Sequence, residues 1–304
     1  MASKAYNFMC MGIGSALRMG LHVYSESIRK QFTPHELTQR RRVFAVLNYT
    51  QAYLASVLGM PFLVKDADPE QILAVPEEDL HDEGKSLMLN QPVSRLASTI
   101  HLCKLFRIAA EITKNRSGRF QADFAPNGGY SLRHEGIAQW ERRLSEWRED
   151  LPALTPDIMD QAVLRAQLIL RFVDTCIVIA MYRPFMQHVV RTSDDPDFDA
   201  KGQEYSSACI RACIRAVQVA EMMDEYSVLH VNQWYVTYNL AIATSSLMLV
   251  VLGNQDGIFL DEAKASEVKA AALLEKLGRS SRSARKCSES LSALRAVIQV
   301  SQSG

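Results

Sequence analysis

The sequence lacks an excess of charge of either sign. Its 304 residues include 34 Lys and Arg and 34 Asp and Glu, so the formal net charge at pH 7 is zero. A protein that is drawn to nucleic acid or acidic lipid by its overall field carries a basic excess, because Lys and Arg neutralise the phosphates. We therefore expect no direct nucleic-acid binding by this chain.

Cysteine is sparse, and its six residues form no recognisable framework. They are Cys10, Cys103, Cys176, Cys209, Cys213 and Cys287. Most lie among apolar residues in stretches with helical spacing, which indicates reduced, buried thiols rather than disulfides or zinc ligands. The first ten residues also lack the long hydrophobic segment and cleavage site of a secretory signal. We predict an intracellular protein.

The sequence also lacks the patterns of the common enzyme classes. Gly12-Ile13-Gly14 begins like a dinucleotide-binding fingerprint, but the third glycine is absent and no strand precedes it. No Gly-x-Ser-x-Gly elbow is present, and His35-Glu36 lacks the second His of a zinc protease helix. We predict no catalytic, cofactor-binding or metal-binding residues, and hence no enzymatic activity.

One pair of cysteines and one acidic segment leave other functional interpretations open. Cys209 and Cys213 are one helical turn apart and could share a metal, but no second Cys or His pair lies nearby, so we interpret them as core residues. Asp194-Asp195-Pro196-Asp197 resembles the aspartate-rich motif with which helical terpenoid synthases hold magnesium and diphosphate. The adjacent Ser193 and Pro196 favour a solvated turn. A helical enzyme or small-molecule-binding protein remains the main alternative, and a helical interaction adaptor is another.

Helical periodicity runs through the chain, and its clearest start is Phe32-Thr33-Pro34-His35-Glu36-Leu37. Thr33 and Glu36 have the spacing of a capping box, Pro34 suits a first turn, and Phe32 can pack on Leu37. This helix is predicted to end at Gly59. Further helices are predicted over Ala5 to Leu21, Val93 to Asn115 with a stop at Gly118, Ile137 to Trp147, Asp160 to Met181, Tyr205 to Tyr226, Asn232 to Leu252, Leu260 to Leu277, and Ala284 to Val300.

The predicted fold is all-α, an irregular multi-helix stack or bundle with long connecting loops, formed by one domain or two closely packed lobes. No run of alternating residues indicates a sheet. Met60 to Gly84 is expected to be a long loop over the helices, and the acidic segment Ser193 to Asp199 is expected to divide the chain. Trp234 to Leu252 is apolar enough to span a membrane, but Thr237 and Asn239 favour a buried core helix, so no membrane partner is predicted.

Several short motifs, in order, resemble the fungal-specific transcription factor domain, also called the xylanolytic activator regulatory or middle homology region. Ala16 to His22 is similar to its Gly-Leu-His element, Arg41-Arg42-Val43-Phe44 to its Arg-Arg-hydrophobic-Phe element, and Leu58-Gly59-Met60-Pro61 to its Leu-Gly-Arg-Pro. Weaker matches follow at Asp66-Ala67-Asp68, Pro76, Trp140 to Pro152, Met181-Tyr182-Arg183-Pro184, and Cys209 to Ala220. The chain departs from the pattern at Ala45, at Gln51-Ala52 and at Met60, where the family often has Trp, Asp-Arg and Arg.

The resemblance implies that residues 1–304 are a regulatory domain of a zinc-cluster transcription factor, acting in the nucleus through a small-molecule inducer or transcriptional co-regulators. A second copy of the chain is a further candidate partner. DNA and zinc are then bound only by a zinc-cluster module that is absent from this chain. The first helices of the family domain are expected to be absent too, which leaves an apolar face exposed.

Overall fold

The computed structural model describes residues 2–23, 25–58, 60, 63–64, 95–120, 136–154, 156, 160–190, 200–231, 233–253 and 259–302. In these ranges the secondary structure is helical and contains no strand, which confirms the all-α prediction. Contacts divide the chain into two compact units, residues 1–163 and 164–304. Each unit is described by itself.

The described residues of the first unit form four long helices and one short one. They are α1 (Ala2–Arg18), α2 (Glu26–Arg29), α3 (Pro34–Leu58), α4 (Arg95–Phe120) and α5 (Ile137–Glu149). Helix α1 packs on α3, α3 packs on α4, and α4 packs on α5. Large side chains that are almost fully buried fill the core between them: Ile13, Phe44, Leu54, Leu105 and Leu144.

Helix α3 begins where the capping box predicts. The backbone N–H of Thr33 donates to Glu36 Oε2 at 2.8 Å, and the N–H of Glu36 donates to Thr33 Oγ1 at 3.3 Å. The hydrogen bonds from the Thr33 backbone and then its hydroxyl lower the pKa of the Glu36 carboxyl. Phe32 packs under the guanidinium group of Arg40, 4.3 Å from its ring centroid.

The stripe of large residues on α5 is buried, as its spacing predicts. Ile137, Trp140, Leu144 and Trp147 all face the interior. The indole Nε1 of Trp147 donates to the backbone oxygen of His101 on α4 at 2.9 Å, and Arg143 pairs with Glu111. These contacts hold α5 in one register against α4.

In the second unit, the part of the chain that the structure describes contains five long helices and a 3₁₀ segment. They are α6 (Gln161–Tyr182), the 3₁₀ helix Arg183–Val190, α7 (Ala200–Glu225), α8 (Trp234–Gly253), α9 (Leu260–Gly278) and α10 (Arg282–Gln302). The α-helix α6 ends before Arg183-Pro184, as predicted, because proline cannot donate the next helical hydrogen bond. Ion pairs of Lys276 with Asp224 (2.7 Å) and Lys269 with Glu221 (3.1 Å) link α9 to α7.

Helix α8 lies at the centre of the second unit. It contacts α7, α9 and α10, and Val236, Leu240 and Leu247 are inaccessible to solvent. Among the described helices it is the one with a window, Tyr235–Gly253, that is long and apolar enough to cross a membrane, and 56% of that window is buried. Its polar Thr244 is also buried and donates to the Leu240 carbonyl at 2.7 Å. This packing favours the core-helix interpretation.

Two expectations from the sequence are wrong. Helix α4 continues through Gly118 to Phe120, because a glycine costs only about 1 kcal/mol in a helix and does not by itself end one. The acidic segment does not separate the two units, since α6 and α7 on either side of it lie in the same unit. Tyr182 stacks on Tyr205 at 5.4 Å and holds those helices together. The acidic segment itself and the predicted loop Met60 to Gly84 lie almost wholly outside the described residues.

Candidate interaction surface

Helix α1 ends in a glycine cap formed by the Gly-Leu pair of the resemblance. Gly20 has a φ of +65°, in the left-handed region that a side chain disfavours. Its N–H donates to the Leu17 carbonyl and the Leu21 N–H donates to the Ala16 carbonyl, each at 3.0 Å. This is the double hydrogen bond of a Schellman motif, and the buried Leu21 supplies its apolar contact.

Arg40 of α3 completes the end of α1. Its guanidinium group donates to the carbonyl of Met19 at 2.9 Å and to that of Gly20 at 3.1 Å. A positive charge is favourable at this end, where unpaired carbonyls concentrate partial negative charge. Next along α3, the ring of the buried Phe44 lies 6.0 Å from that of His22. The motif around Gly20 and the motif around Phe44 therefore form one junction.

Gly12 lets α1 and α3 approach closely, at a point we call the seam. A Cβ at Gly12 would lie 3.3 Å from Leu47 Cδ2, whereas a Cβ at Gly14 would meet nothing within 4 Å. The dinucleotide interpretation of these glycines has no support, because both lie inside α1 and not in a turn between a strand and a helix. Gly12 is a packing residue.

Beside the seam lies a surface of large apolar side chains exposed to solvent, which we call the α1–α3 surface. The side chains are exposed by 72% at Phe8, 68% at Met11, 57% at Met19, 47% at Val43 and 49% at Val46. Single exposed apolar residues are ordinary, but a group of this kind marks an interaction site in many proteins.

Helix direction shows that these residues form one surface. Gly20 meets Arg40 and Gly12 meets Leu47, so α1 and α3 run antiparallel. Phe8 precedes Gly12 by one helical turn, as Val43 precedes Leu47. In antiparallel helices, a residue one turn before the contact point on each helix is rotated towards the same side of the seam, although Phe8 and Val43 lie in opposite directions along it. The exposure of both side chains identifies this as the solvent side.

The charges around the α1–α3 surface are mostly positive. Helix α1 carries Lys4 and Arg18, both exposed, and no acid. Helix α3 carries Arg42 one turn before Val46, and it has no charged residue from Val43 to its end. Its one acid, Glu36, lies in the first turn, two helical turns before Val43. A basic rim thus borders an apolar centre.

The two cysteines considered as metal ligands, Cys209 and Cys213, lie in the core of the second unit, as does Cys176. The three side chains are each at most 1% exposed, and none of them forms a disulfide. A hydrogen bond with Cys209 that favours the protonated thiol, together with burial, raises the pKa of Cys213 well above its ordinary value. Within the described part of the chain, no group of three His, Cys, Asp or Glu residues is placed to hold a metal ion. These thiols have the environment of unreactive core residues.

The remaining candidates lie outside the described residues or have a structural role. Asp194, Asp195 and Asp197 lie outside the described residues. Glu36 belongs to the capping box. Arg285, near the start of α10, donates to the carbonyl of Gly278 at 3.2 Å and braces the corner between α9 and α10.

Three residues at which the chain departs from the family pattern, Ala45, Gln51 and Met60, lie among the described residues of the first unit. Ala45 is buried and Met60 is exposed. Gln51 has no exposed surface, and with its amide oriented to satisfy both polar atoms its oxygen accepts from Leu63 N at 2.9 Å and Val64 N at 3.3 Å. It thereby anchors the chain after α3, a role that its sequence position did not predict. The signal available was a lone polar residue on the apolar face of α3.

Comparison with known proteins connects the chain to gene regulation. It is 23% identical over 270 residues to Activator of stress genes protein 1 of Candida albicans, covering 81% of this chain and 27% of the relative. It is 26% identical over 258 residues to Activator of stress genes 1 of Saccharomyces cerevisiae, covering 82% of this chain and 26% of the relative. Transcriptional activator protein acu-15 of Neurospora crassa is 27% identical over 146 residues. The relatives are fungal transcription regulators.

This similarity supports a role in transcription regulation and agrees with the coarse part of the resemblance. The chain spans about a quarter of the length of the first two relatives. No family model matches it. No solved structure matches it either. The relatives are named as activators, not as enzymes.

Proposed function

We propose that this chain is a regulatory segment of a fungal zinc-cluster transcription factor, and that it adjusts transcription by binding a partner protein or a small-molecule inducer. The similarity to two activators over about four fifths of this chain supports the proposal. In this proposal DNA and zinc are bound by a separate zinc-cluster module, and the protein acts in the nucleus. The zero net charge of this chain is in keeping with that division of labour.

The observation that carries the proposal is the α1–α3 surface. Phe8 and Met11 are each more than two thirds exposed, although exposing apolar side chains of their size to water is unfavourable. Helix α1 is held against α3 at two places, by Gly12 packing on Leu47 beside these residues and by Arg40 on the α1 carbonyls at the other end of the helix. A fixed apolar surface suits recognition of another protein, so among the two kinds of effector the structure favours a partner.

A reporter assay tests the proposal. The chain is fused to a heterologous DNA-binding domain, with and without a constitutive activation domain, and reporter expression is measured in yeast. We expect the fused chain to change expression, and we expect Phe8→Ser with Met11→Ser to reduce that change. Val268→Ser is the matched control, because Val268 is an exposed apolar residue of the second unit. Expression that stays the same with and without the chain, in both settings, would reject a regulatory role.

Two further measurements separate this function from its alternatives. In gel shifts at physiological salt, the chain alone is expected to show no preference for a CGG-type site; selective binding would contradict the division of labour. Incubation with magnesium and prenyl diphosphates is expected to give no product. Turnover that disappears in Asp194→Ala or Asp195→Ala would establish the enzyme alternative.

A further inference from the structure

The α1–α3 surface combines two properties that together restrict its partner. Its centre is apolar and it lies along the seam between two antiparallel helices, where a third helix can pack with its own apolar stripe. Its border carries Lys4, Arg18 and Arg42. The only acid on α1 or α3 is Glu36, in the first turn of α3 and two helical turns before Val43. The surface is therefore apolar and basic at once.

We propose that the α1–α3 surface binds an amphipathic helical segment of a partner protein in which acidic residues flank an apolar stripe. The apolar stripe would cover Phe8, Met11 and Val46, and the acids would meet the basic border. Charge complementarity selects the acidic partner over a basic one, since like charges brought together across an interface oppose binding. This inference rests on the proposed function, which supplies the regulatory setting in which such a partner acts.

Charge also argues against a second copy of this chain as the occupant. If α1 paired with α1 of another copy, Lys4 and Arg18 of one chain would face the same residues of the other. Helix α1 offers no acid to neutralise them. Paired α1 helices would therefore concentrate like charges at the two ends of the contact.

The test measures binding of synthetic peptides to the purified 304-residue chain. One peptide, of about 18 residues, has Leu at helical spacing and Glu on its polar face; the other has Lys in place of every Glu. Titration is followed by fluorescence anisotropy at low and high salt. We expect the Glu peptide to bind at least about tenfold more tightly than the Lys peptide at low salt, with a smaller difference at high salt.

Substitutions locate the binding. Phe8→Ser with Met11→Ser is expected to weaken binding of the Glu peptide by at least about tenfold, the loss usual for central contact residues. Both side chains are exposed, so the thermal midpoint of the variant is expected to match that of the unaltered chain, and circular dichroism checks this. Lys4→Ala with Arg42→Ala is expected to remove most of the preference for Glu. Val268→Ser is expected to leave binding unchanged.

Several outcomes would overturn the proposal. Equal binding of the Glu and Lys peptides would reject the preference for an acidic partner. Binding by the Phe8/Met11 variant that equals binding by the unaltered chain would reject the α1–α3 surface as the binding site. Concentration-dependent self-association that the same variant abolishes would assign the surface to a second copy. Binding to vesicles of anionic lipid that the variant abolishes would assign it to a membrane. The chain also has its own acidic and apolar stretch at 66–83. Peptide binding that appears only in the variant Glu77→Gln, Glu78→Gln, Asp79→Asn would assign the surface to that stretch.

The peptide test and the reporter test can reject the binding surface and the regulatory role separately. Binding of the Glu peptide with no effect on the reporter would leave the surface established and reject the regulatory role. A reporter effect that Phe8→Ser with Met11→Ser does not alter, without peptide binding, would reject the surface and leave the regulatory role supported.

Discussion

Arg40 donates a hydrogen bond from its guanidinium group to the carbonyl of Gly20, 3.1 Å away, and so joins the end of α1 to the start of α3. Gly20 reaches this position because its left-handed backbone turns the chain after one last pair of helical hydrogen bonds. The two residues are twenty positions apart, and each belongs to or adjoins a short motif that resembles the regulatory domain. Their contact gives those motifs a physical reason to occur together: they build the junction that supports the α1–α3 surface.

Replacing Arg40 tests how much that junction depends on one side chain. Arg40→Ala removes two hydrogen bonds to carbonyls and the contact with the Phe32 ring, and we expect it to lower the free energy of unfolding by about 1 to 2 kcal/mol. Arg40→Lys is expected to retain part of this, because an ammonium group reaches one carbonyl but lacks the planar fork. Urea denaturation followed by Trp fluorescence measures the difference.

The control for Arg40 is Arg142, whose ion pair with Glu146 at 3.7 Å is largely exposed on α5. Arg142→Ala is expected to change the free energy of unfolding by less than about 0.5 kcal/mol. An equal effect of the two substitutions would show that loss of positive charge, and not loss of the α1 cap, decides the result.

Local spacing predicts some parts of this fold well. The Thr33 to Glu36 capping box and the buried stripe on α5 depend on residues within one or two turns, so the sequence contains all the information needed. The role of Arg40 could not be predicted in this way. In the sequence it is one of three consecutive arginines, and its contact with the end of α1 depends on how α1 packs beside α3. The continuation of α4 through Gly118 was missed because a glycine permits a helix end without requiring one.

The candidate surface was predictable only in general terms. The spacing of Phe8 and Met11 indicates a helix face, but which face of α1 is buried depends on where α3 packs. That packing is set by Gly12 against Leu47, residues far apart in the chain. The role of Gln51 was missed for the same reason, since its partners Leu63 and Val64 come after the end of α3.

Two glycines with opposite surroundings give a matched pair of stability predictions. A Cβ at Gly278 would lie 3.1 Å from Cα and 3.2 Å from N of Arg285, so the corner between α9 and α10 would have to open. We expect Gly278→Ala to destabilise the protein by about 1 to 3 kcal/mol. At Gly14 a Cβ meets nothing, and Gly14→Ala inside α1 is expected to stabilise by about 0.5 to 1 kcal/mol. Thermal unfolding of both variants is the measurement; a stabilising Gly278→Ala would mean that the corner is more open than described.

The thiols of the second unit are expected to be unreactive in the folded protein. Cys176, Cys209 and Cys213 are buried, and the pKa of Cys213 is raised, so little thiolate forms at neutral pH. Alkylation with iodoacetamide, read by peptide mass spectrometry, should modify Cys10 and Cys287 first, since these are partly exposed. The three buried thiols should react only when denaturant is added. Rapid native modification of Cys213 would indicate a reactive thiol and reopen a redox role.

His101 should make the stability of the protein depend on pH. Burial, and then the positive charge of Lys104, lower the pKa of His101, while Asp150 acts more weakly in the opposite direction. The folded state therefore binds this proton less readily than the unfolded chain, whose histidine has a pKa near 6.5. Stability from this residue is present above that value and is lost as the pH falls below it towards the folded pKa.

We expect the free energy of unfolding to fall between pH 7.5 and pH 5.5, roughly the window in which a histidine titrates, and to fall less in His101→Gln. The substitution leaves the hydrogen bond of Trp147 intact, because that bond ends on the His101 backbone oxygen. His35→Gln, at an exposed position near the start of α3, is the control and should retain the full pH dependence. Urea unfolding at each pH gives the slopes. A His101→Gln protein with the same slope as the unaltered chain would assign the pH dependence to other groups.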